Sequence, residues 1–358
     1  MNPEVFCKLA GRLMRHPAAP YHEHAVRAEV QSICGEHGLT SAMDRYGNVL
    51  VRLQTAKQQR PFVMAAHMDH PGFEVLPGKR NSRLVRFQGG VPGSYFRTGI
   101  NIRLMPGAIP AKLGKQVGND RTFEIETAKG LDDQSKFAVW ELVDFRASEM
   151  IVGRACDDLI GVASILATMI ELRKTRARVS VIGVISRAEE IGFRGALALT
   201  NTKLLPSNSL IISLETSREL PGVKMGEGVI LRVGDKTSVF DSEAMRYLSE
   251  VAAGIKTRRK HFKFQRGLMA GGTCEATAFQ EFGFQTGAVC IALGNYHNCA
   301  DHNKIAAEYV NVADACGMVE LLVGAAKRMP EFKMLVGKLP KRLRQMRREA
   351  ESRLLRTA

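Results

Sequence analysis

Apolar and polar positions change texture along the chain. Residues 4–14 and 22–37 carry apolar side chains at helical spacing and predict two helices. Runs at 48–53 (NVLVRL) and 62–66 (FVMAA) predict strands, the second apolar throughout like a central strand covered on both faces. Between 73 and 152 the runs shorten. RLVRF (83–87), INIRL (100–104) and RTFEIET (121–127) alternate with the turn clusters GGVPGS (89–94) and MPGAIP (105–110), which predicts a small all-β module. Long elements resume at Asp157: a helix over 158–174, strands VSVIGVIS (179–186) and SLIISLE (209–215), and helices near 242–254 and 273–281. Strand TGAVCIAL (286–293) and a helix at 309–327 follow. Apolar strands alternating with amphipathic helices predict an α/β fold with a mostly parallel, helix-covered sheet. The expected division is one domain in two parts, 1–72 and 153–330, interrupted by an inserted β-barrel-like domain at 73–152. A basic helical tail at 331–358 follows it.

Composition narrows the classes. A 358-residue chain with 45% hydrophobic and 24% charged residues is globular rather than disordered. No apolar run approaches the roughly 18 residues of a membrane span, and the segment around Glu4 lacks a signal-peptide core. Seven cysteines with no CxxC pair argue against a disulfide scaffold or zinc knuckle and for a reducing, cytoplasmic setting. The net charge of +15 is uneven: the 32 residues from Lys327 contribute +8. Past Pro340, Leu343, Met346, Ala350 and Leu354 form a narrow apolar stripe on a basic helix. That tail reads as a solvated terminal helix, or as a contact for a neighbouring subunit, RNA or an anionic membrane surface. Because no aromatic follows Phe332, it lacks a base-stacking platform.

Residues of metal-ligand type fall where strands of such a sheet end, which is where open α/β sheets bind ligands. His67 follows the strand at 62–66, and Asp69 is placed to hold its second ring nitrogen. Asp157 and Asp158 open a helix; an N-cap accounts for one aspartate but not two. Glu189 and Glu190 leave the strand at 179–186, Glu215 ends SLIISLE, and His297 follows the strand at 286–293. Each alone is ordinary turn chemistry. Together they are an oxygen and nitrogen donor set without thiolate, suited to two zinc or similar divalent ions sharing a carboxylate, and so to a hydrolase.

The ordered set AHMDHPGF (66–73), Asp157-Asp158, EEIGFRGA (189–196), Glu215, GGT (271–273) and NYH (295–297) resembles the tetrahedral (TET) and glutamyl aminopeptidase family of co-catalytic metallopeptidases. The resemblance covers roughly 1–325. It implies a zinc-peptidase-like catalytic domain carrying the insertion as an oligomerisation module. His67 and Glu215 would complete one metal site, Glu190 and His297 the other, and Asp157 would bridge them. Glu189 would be the general base toward the bridging water, with Asp69 orienting His67. The resemblance also implies a cis peptide between Asp157 and Asp158. It implies two divalent ions per subunit (zinc, with cobalt or manganese as alternatives), peptide substrates, and a homo-oligomer between dimer and dodecamer.

The chain departs from the family pattern at His70, Leu159, Glu215 and Cys274-Glu275, and His302 offers an alternative to His297. His70 and Glu275 become candidates for the subsite of the substrate amine, with Glu275 or Asp301 as its counter-charge. The alternative activities are a dimetal N-acyl amino acid deacylase or carboxypeptidase, and a non-catalytic scaffold of the same fold. A glycosidase use of Glu189-Glu190 fails because such carboxylates must face one sugar from opposite sides, roughly 5–10 Å apart.

Overall fold

A computed structural model describes every residue except 57, 78–83 and 128–133. Arg83, the first residue of the RLVRF run, lies outside the described residues. The core of the main sheet is four parallel strands in the spatial order Ser180–Ser186, Phe62–His67, Leu210–Arg218, Gln285–Gly294. Antiparallel strands extend it: Val49–Gln54 and Thr40–Met43 beyond one edge, and Glu308–Asn311, Met150–Gly153 and Arg146–Ala147 beyond the other. The parallel core is as the pattern predicts, and the sheet as a whole is mixed.

Strand periodicity explains why the core strands are apolar at every position. In Phe62–His67, Phe62, Met64 and Ala66 join the main core, which includes the buried helix Leu159–Lys174 and the helices Pro3–Met14 and Val312–Arg328. Val63 and Ala65 face the other way, into a smaller core with Ala196, Leu199 and Phe279 of the helices Arg194–Thr200 and Glu275–Glu281. Helices thus cover both faces, and the carboxyl ends of the four parallel strands are left open as one edge.

Gly72–Val75, Leu84–Gln88, Thr122–Glu126, Ile109–Val117, Asn101–Met105 and Phe137–Trp140 close into a six-stranded barrel. Closure leaves no edge strand. The barrel has its own aromatic core, with the Phe73 ring 4.9 Å from Phe87 and 4.8 Å from Trp140.

Three differences from the sequence pattern have physical causes. Thr40–Met43 and Phe264–Leu268 are edge strands with polar or exposed positions, so they lack an apolar signature. Val229–Gly234, which pairs with Gln285–Gly294, carries the buried Arg232 in its middle. The helix expected from 309 starts at Val312, because Asn311 caps it by accepting from the Ala313 and Asp314 N–H groups; Glu308–Asn311 is a strand.

The last helix runs from Phe332 to Thr357 straight through Pro340. Proline supplies no N–H to the carbonyl four residues back, and the Arg246 guanidinium donates to that Val336 carbonyl instead, at 3.2 Å. Among the described residues no helix is long and apolar enough to cross a membrane.

Candidate metal centre

Strand register delivers the ligand-type side chains to one level. His67 pairs with Ser186, so Glu189 and Glu190 leave the adjacent strand beside it. Ser213 pairs with Ala65, and two residues on, Glu215 points the same way as His67. Asp157 precedes the helix Leu159–Lys174, and His297 follows the strand Gln285–Gly294.

The result is three overlapping groups: His67, Asp157 and Glu215; Asp157, Glu190 and His297; and His67, Glu189 and Glu190. Each offers ligand atoms within 4.8 Å of one another. Asp157 stands between the first two, with Oδ1 3.7 Å from His67 Nε2 and Oδ2 3.6 Å from His297 Nε2. Glu190 Oε2 is 3.2 Å from His297 Nε2. Both rings are oriented by backbone carbonyls: His67 Nδ1 donates to Asp69 at 3.0 Å, and His297 Nδ1 to Gly90 of the barrel segment at 3.1 Å. Each ring therefore turns Nε2 into the cluster, the orientation a metal-bound imidazole needs.

The expected part of Asp69 changes. Its carboxylate lies 3.6 Å from His67 Nδ1 and instead accepts the N–H groups of Glu189 at 2.9 Å and Glu190 at 3.1 Å. The ring is served by the Asp69 carbonyl, which frees the carboxylate to fix the segment carrying both glutamates. Asp158 is the N-cap, accepting from Gly161 N–H at 3.1 Å, while Asp157 faces the cluster; the peptide between them is cis.

His302 and Asp301 are exposed in the turn beyond His297 and stand outside the three groups. Neither His70 nor Glu275 lines the cleft beside the cluster. His70 is buried behind Asp157, donating through Nδ1 to its carbonyl at 2.7 Å, and Glu275 is buried against the Ser186 hydroxyl.

Sequence reasoning missed Glu308, a buried residue of a short strand. Its Oε2 accepts the N–H groups of Cys156 at 2.8 Å and Asp157 at 3.0 Å, and its Oε1 accepts that of His297 at 2.8 Å. One carboxylate thus ties two distant ligand segments together. Also missed were Arg232 and Tyr296, which line the cleft with Thr216, Ser217, Arg218 and Thr273. The ligand loops are held in the left-handed region at Ala188 (φ 50°), Asn295 (54°), His297 (55°) and Asn298 (62°). Non-glycine residues seldom adopt that region without compensating contacts.

The charge balance shows what the cluster accepts. Asp157 Oδ1, Glu190 Oε1 and Glu215 Oε1 are buried with no hydrogen-bond partner. Burial, with the Asp157 charge adding to it, pushes Glu215 up to about 8. Burial, with the Glu215 and Glu190 charges adding, pushes Glu189 well above the usual carboxylate range. Burial alone would lower the His297 pKa, but Glu190 and Asp157 override it and raise it to about 9. A buried group of carboxylates with unused lone pairs is costly unless cations enter it. An oxygen and imidazole donor set without thiolate fits divalent ions.

Residues 137–311 match the family model described as M42 glutamyl aminopeptidase. Over just under half of its length the chain is therefore similar to the M42 glutamyl aminopeptidases. It is 26% identical over 298 residues to a glutamyl aminopeptidase of Lactococcus lactis subsp. cremoris (strain MG1363), covering 75% of this chain and 83% of that one. The fold matches a TET aminopeptidase from a marine sediment archaeon, Thaumarchaeota archaeon SCGC AB-539-E09, with TM-score 0.77 and 18% identity. That match covers 93% of this chain and 100% of the other. It also matches the Pyrococcus horikoshii TET1 peptidase, described as assembling into a tetrahedron or a large octahedral shell. There the TM-score is 0.73 at 19% identity, over 90% of this chain and 99% of that one. The M42 match spans Asp157, Glu189, Glu190, Glu215 and His297; His67 lies before it.

Proposed function

We propose that this chain is a metal-dependent aminopeptidase that removes acidic residues from the N-termini of peptides. The observation that carries the reading is the convergence of His67, Asp157, Glu190, Glu215 and His297 around unpartnered buried oxygens, with Glu189 beside them. His67, Asp157 and Glu215 would hold one divalent cation, and Asp157, Glu190 and His297 a second, with zinc the best fit to the donors. Such a pair supplies Lewis acidity toward a carbonyl oxygen and lowers the pKa of water. Glu189, its N–H fixed by Asp69, takes a proton from the attacking water and returns it to the leaving amine.

Substrate preference follows from the cleft wall. Arg232 is buried with its Nε unpartnered, its other nitrogens reaching Ser217 Oγ and the Gly272 carbonyl, both at 3.2 Å. Arg218 lines the same wall. Two guanidinium groups beside a cation-binding cluster favour a carboxylate side chain on the N-terminal residue. The deacylase or carboxypeptidase and the non-catalytic scaffold are not favoured, since the M42 family model describes an aminopeptidase and every ligand position is filled. We place the enzyme in the cytoplasm, in keeping with seven free cysteines, as a homo-oligomer like its TET neighbours. The test is turnover of glutamyl, leucyl and N-acetylglutamyl p-nitroanilides with zinc, cobalt or manganese. Cleavage of the free-amine glutamyl substrate, abolished by Glu189→Gln, supports the reading. Preferential cleavage of the acetylated substrate contradicts it.

A further inference from the structure

The terminal helix Phe332–Thr357 presents a surface that the metal centre does not use. At 1.5 Å rise per residue its 26 residues extend about 39 Å. Its first turns dock on the body: Phe332, Leu335 and Val336 are buried, the Phe332 ring is 5.0 Å from Tyr247, and Lys338 reaches Glu250 at 2.6 Å. The helix then leaves the body, and every residue from 341 to 358 is exposed. The stripe that begins with the buried Val336 continues outward as Leu339, Leu343, Met346, Ala350 and Leu354, with Leu343 52% and Leu354 67% exposed. At 100° per residue those side chains fall within about 80° of arc. Lys and Arg flank the stripe on both sides.

Charge decides what covers it. The helix carries nine basic and two acidic residues, a net +7. Among the described residues, none of the seven Lys and Arg side chains from Lys341 to Arg356 is in an ion pair. A second tail would bring +7 against +7. The rest of the chain carries +8 of the total +15, so the body of a second copy offers no overall complement. A phosphate backbone would satisfy the cations and leave the Leu and Met stripe in water. Only an anionic surface with an apolar layer directly beneath it uses both features.

We propose that this helix lies on an anionic phospholipid surface, with Leu343, Met346 and Leu354 at the acyl boundary and the flanking Lys and Arg among the headgroups. Membrane contact also answers why the segment is helical. An exposed helix whose charges are mostly of one sign, with a Gln345–Glu349 pair as its side-chain link at i,i+4, gains little from its own side chains in water. Burying the stripe and neutralising its flanks stabilises it.

The test is cosedimentation of the full chain with phosphatidylcholine vesicles that contain or lack about one third phosphatidylglycerol. Binding is expected only to the anionic vesicles and to weaken with salt, as screening shortens the reach of surface charge. Leu343→Glu with Met346→Glu changes the charge by −2, and so does Lys341→Gln with Arg342→Gln. The first pair should lower partitioning about tenfold more than the second, because it also removes apolar anchors. Neither pair touches the buried core, and deletion of 341–358 removes no buried residue, so all three proteins should fold and keep their circular dichroism melts. The proposal is overturned if neutral and anionic vesicles bind alike, or if the two charge-matched pairs lose binding equally, the behaviour expected of an RNA contact. It is also overturned if the deletion lowers oligomer mass while the full chain ignores vesicles. None of these outcomes depends on peptidase activity.

Discussion

Replacing Glu308 with glutamine tests whether ligand segments far apart in sequence are held by one buried carboxylate. The native carboxylate accepts three backbone N–H bonds of 2.8–3.0 Å, from Cys156 and Asp157 on one oxygen and from His297 on the other. Glutamine keeps a single acceptor oxygen. Its best rotamer serves Cys156 and Asp157 and turns an NH2 group toward the His297 N–H, donor against donor. Losing a charge-assisted bond costs about 1.5–3 kcal/mol, and an unsatisfied buried donor adds about 1–3 kcal/mol. Part of this returns, because burial and the Asp157 charge already push Glu308 well above the usual carboxylate range, so removing the charge relieves desolvation. The net expectation is about 2 kcal/mol of destabilisation, read by urea unfolding of the metal-free protein. Displacing the His297 segment should also weaken cation binding roughly 10–100-fold, the usual effect of losing a partner that orients ligands. Unchanged stability together with unchanged zinc affinity by titration calorimetry would refute the reasoning.

Three further predictions use other parts of the site. Burial pushes Glu275 up to about 7, whereas a glutamate in the unfolded chain titrates near 4.5. Native protein therefore binds the extra proton between those values, and stability falls as pH rises through that window. Metal-free Glu275→Gln should match wild type at pH 4 and exceed it by up to about 3 kcal/mol at pH 8; a difference independent of pH would refute the assignment. In the cleft, Arg218→Ala should raise KM for glutamyl substrates about tenfold and leave leucyl substrates nearly unchanged. An equal loss on both would remove Arg218 from the side-chain subsite. At the barrel contact, a Cβ on Gly90 would sit 3.2 Å from His297 Cε1 and Nδ1. Gly90→Val should tilt that ring and lower zinc affinity with little change in melting temperature. Wild-type affinity would show that the ring accommodates the added side chain without leaving its ligating orientation.

The candidate site was legible because its chemistry follows strand ends. His67, Glu189, Glu190, Glu215 and His297 each lie at or just past the carboxyl end of an apolar run, and parallel pairing brings such ends to one level. What escaped the sequence depends on geometry that no local pattern encodes. Glu308 reaches Asp157 from a four-residue strand 151 positions away, and EYVN reads as readily as the first turn of the helix it precedes. Arg232 interrupts its own strand, so the residue facing the cleft erased the apolar signal around it. Asp69 was found by its spacing from His67, but its partners were not. The backbone donors of Glu189 and Glu190 meet it only once two strands lie side by side.

If this cluster binds divalent cations, peptide cleavage depends on them. The most direct measurement is metal content by mass spectrometry against turnover of a glutamyl substrate, for wild type and Asp157→Asn reconstituted with zinc. Two zinc ions per wild-type chain are expected, with activity rising with their occupancy and loss of both in Asp157→Asn. Full activity in chelated wild type, or full zinc occupancy and activity in Asp157→Asn, would contradict that expectation.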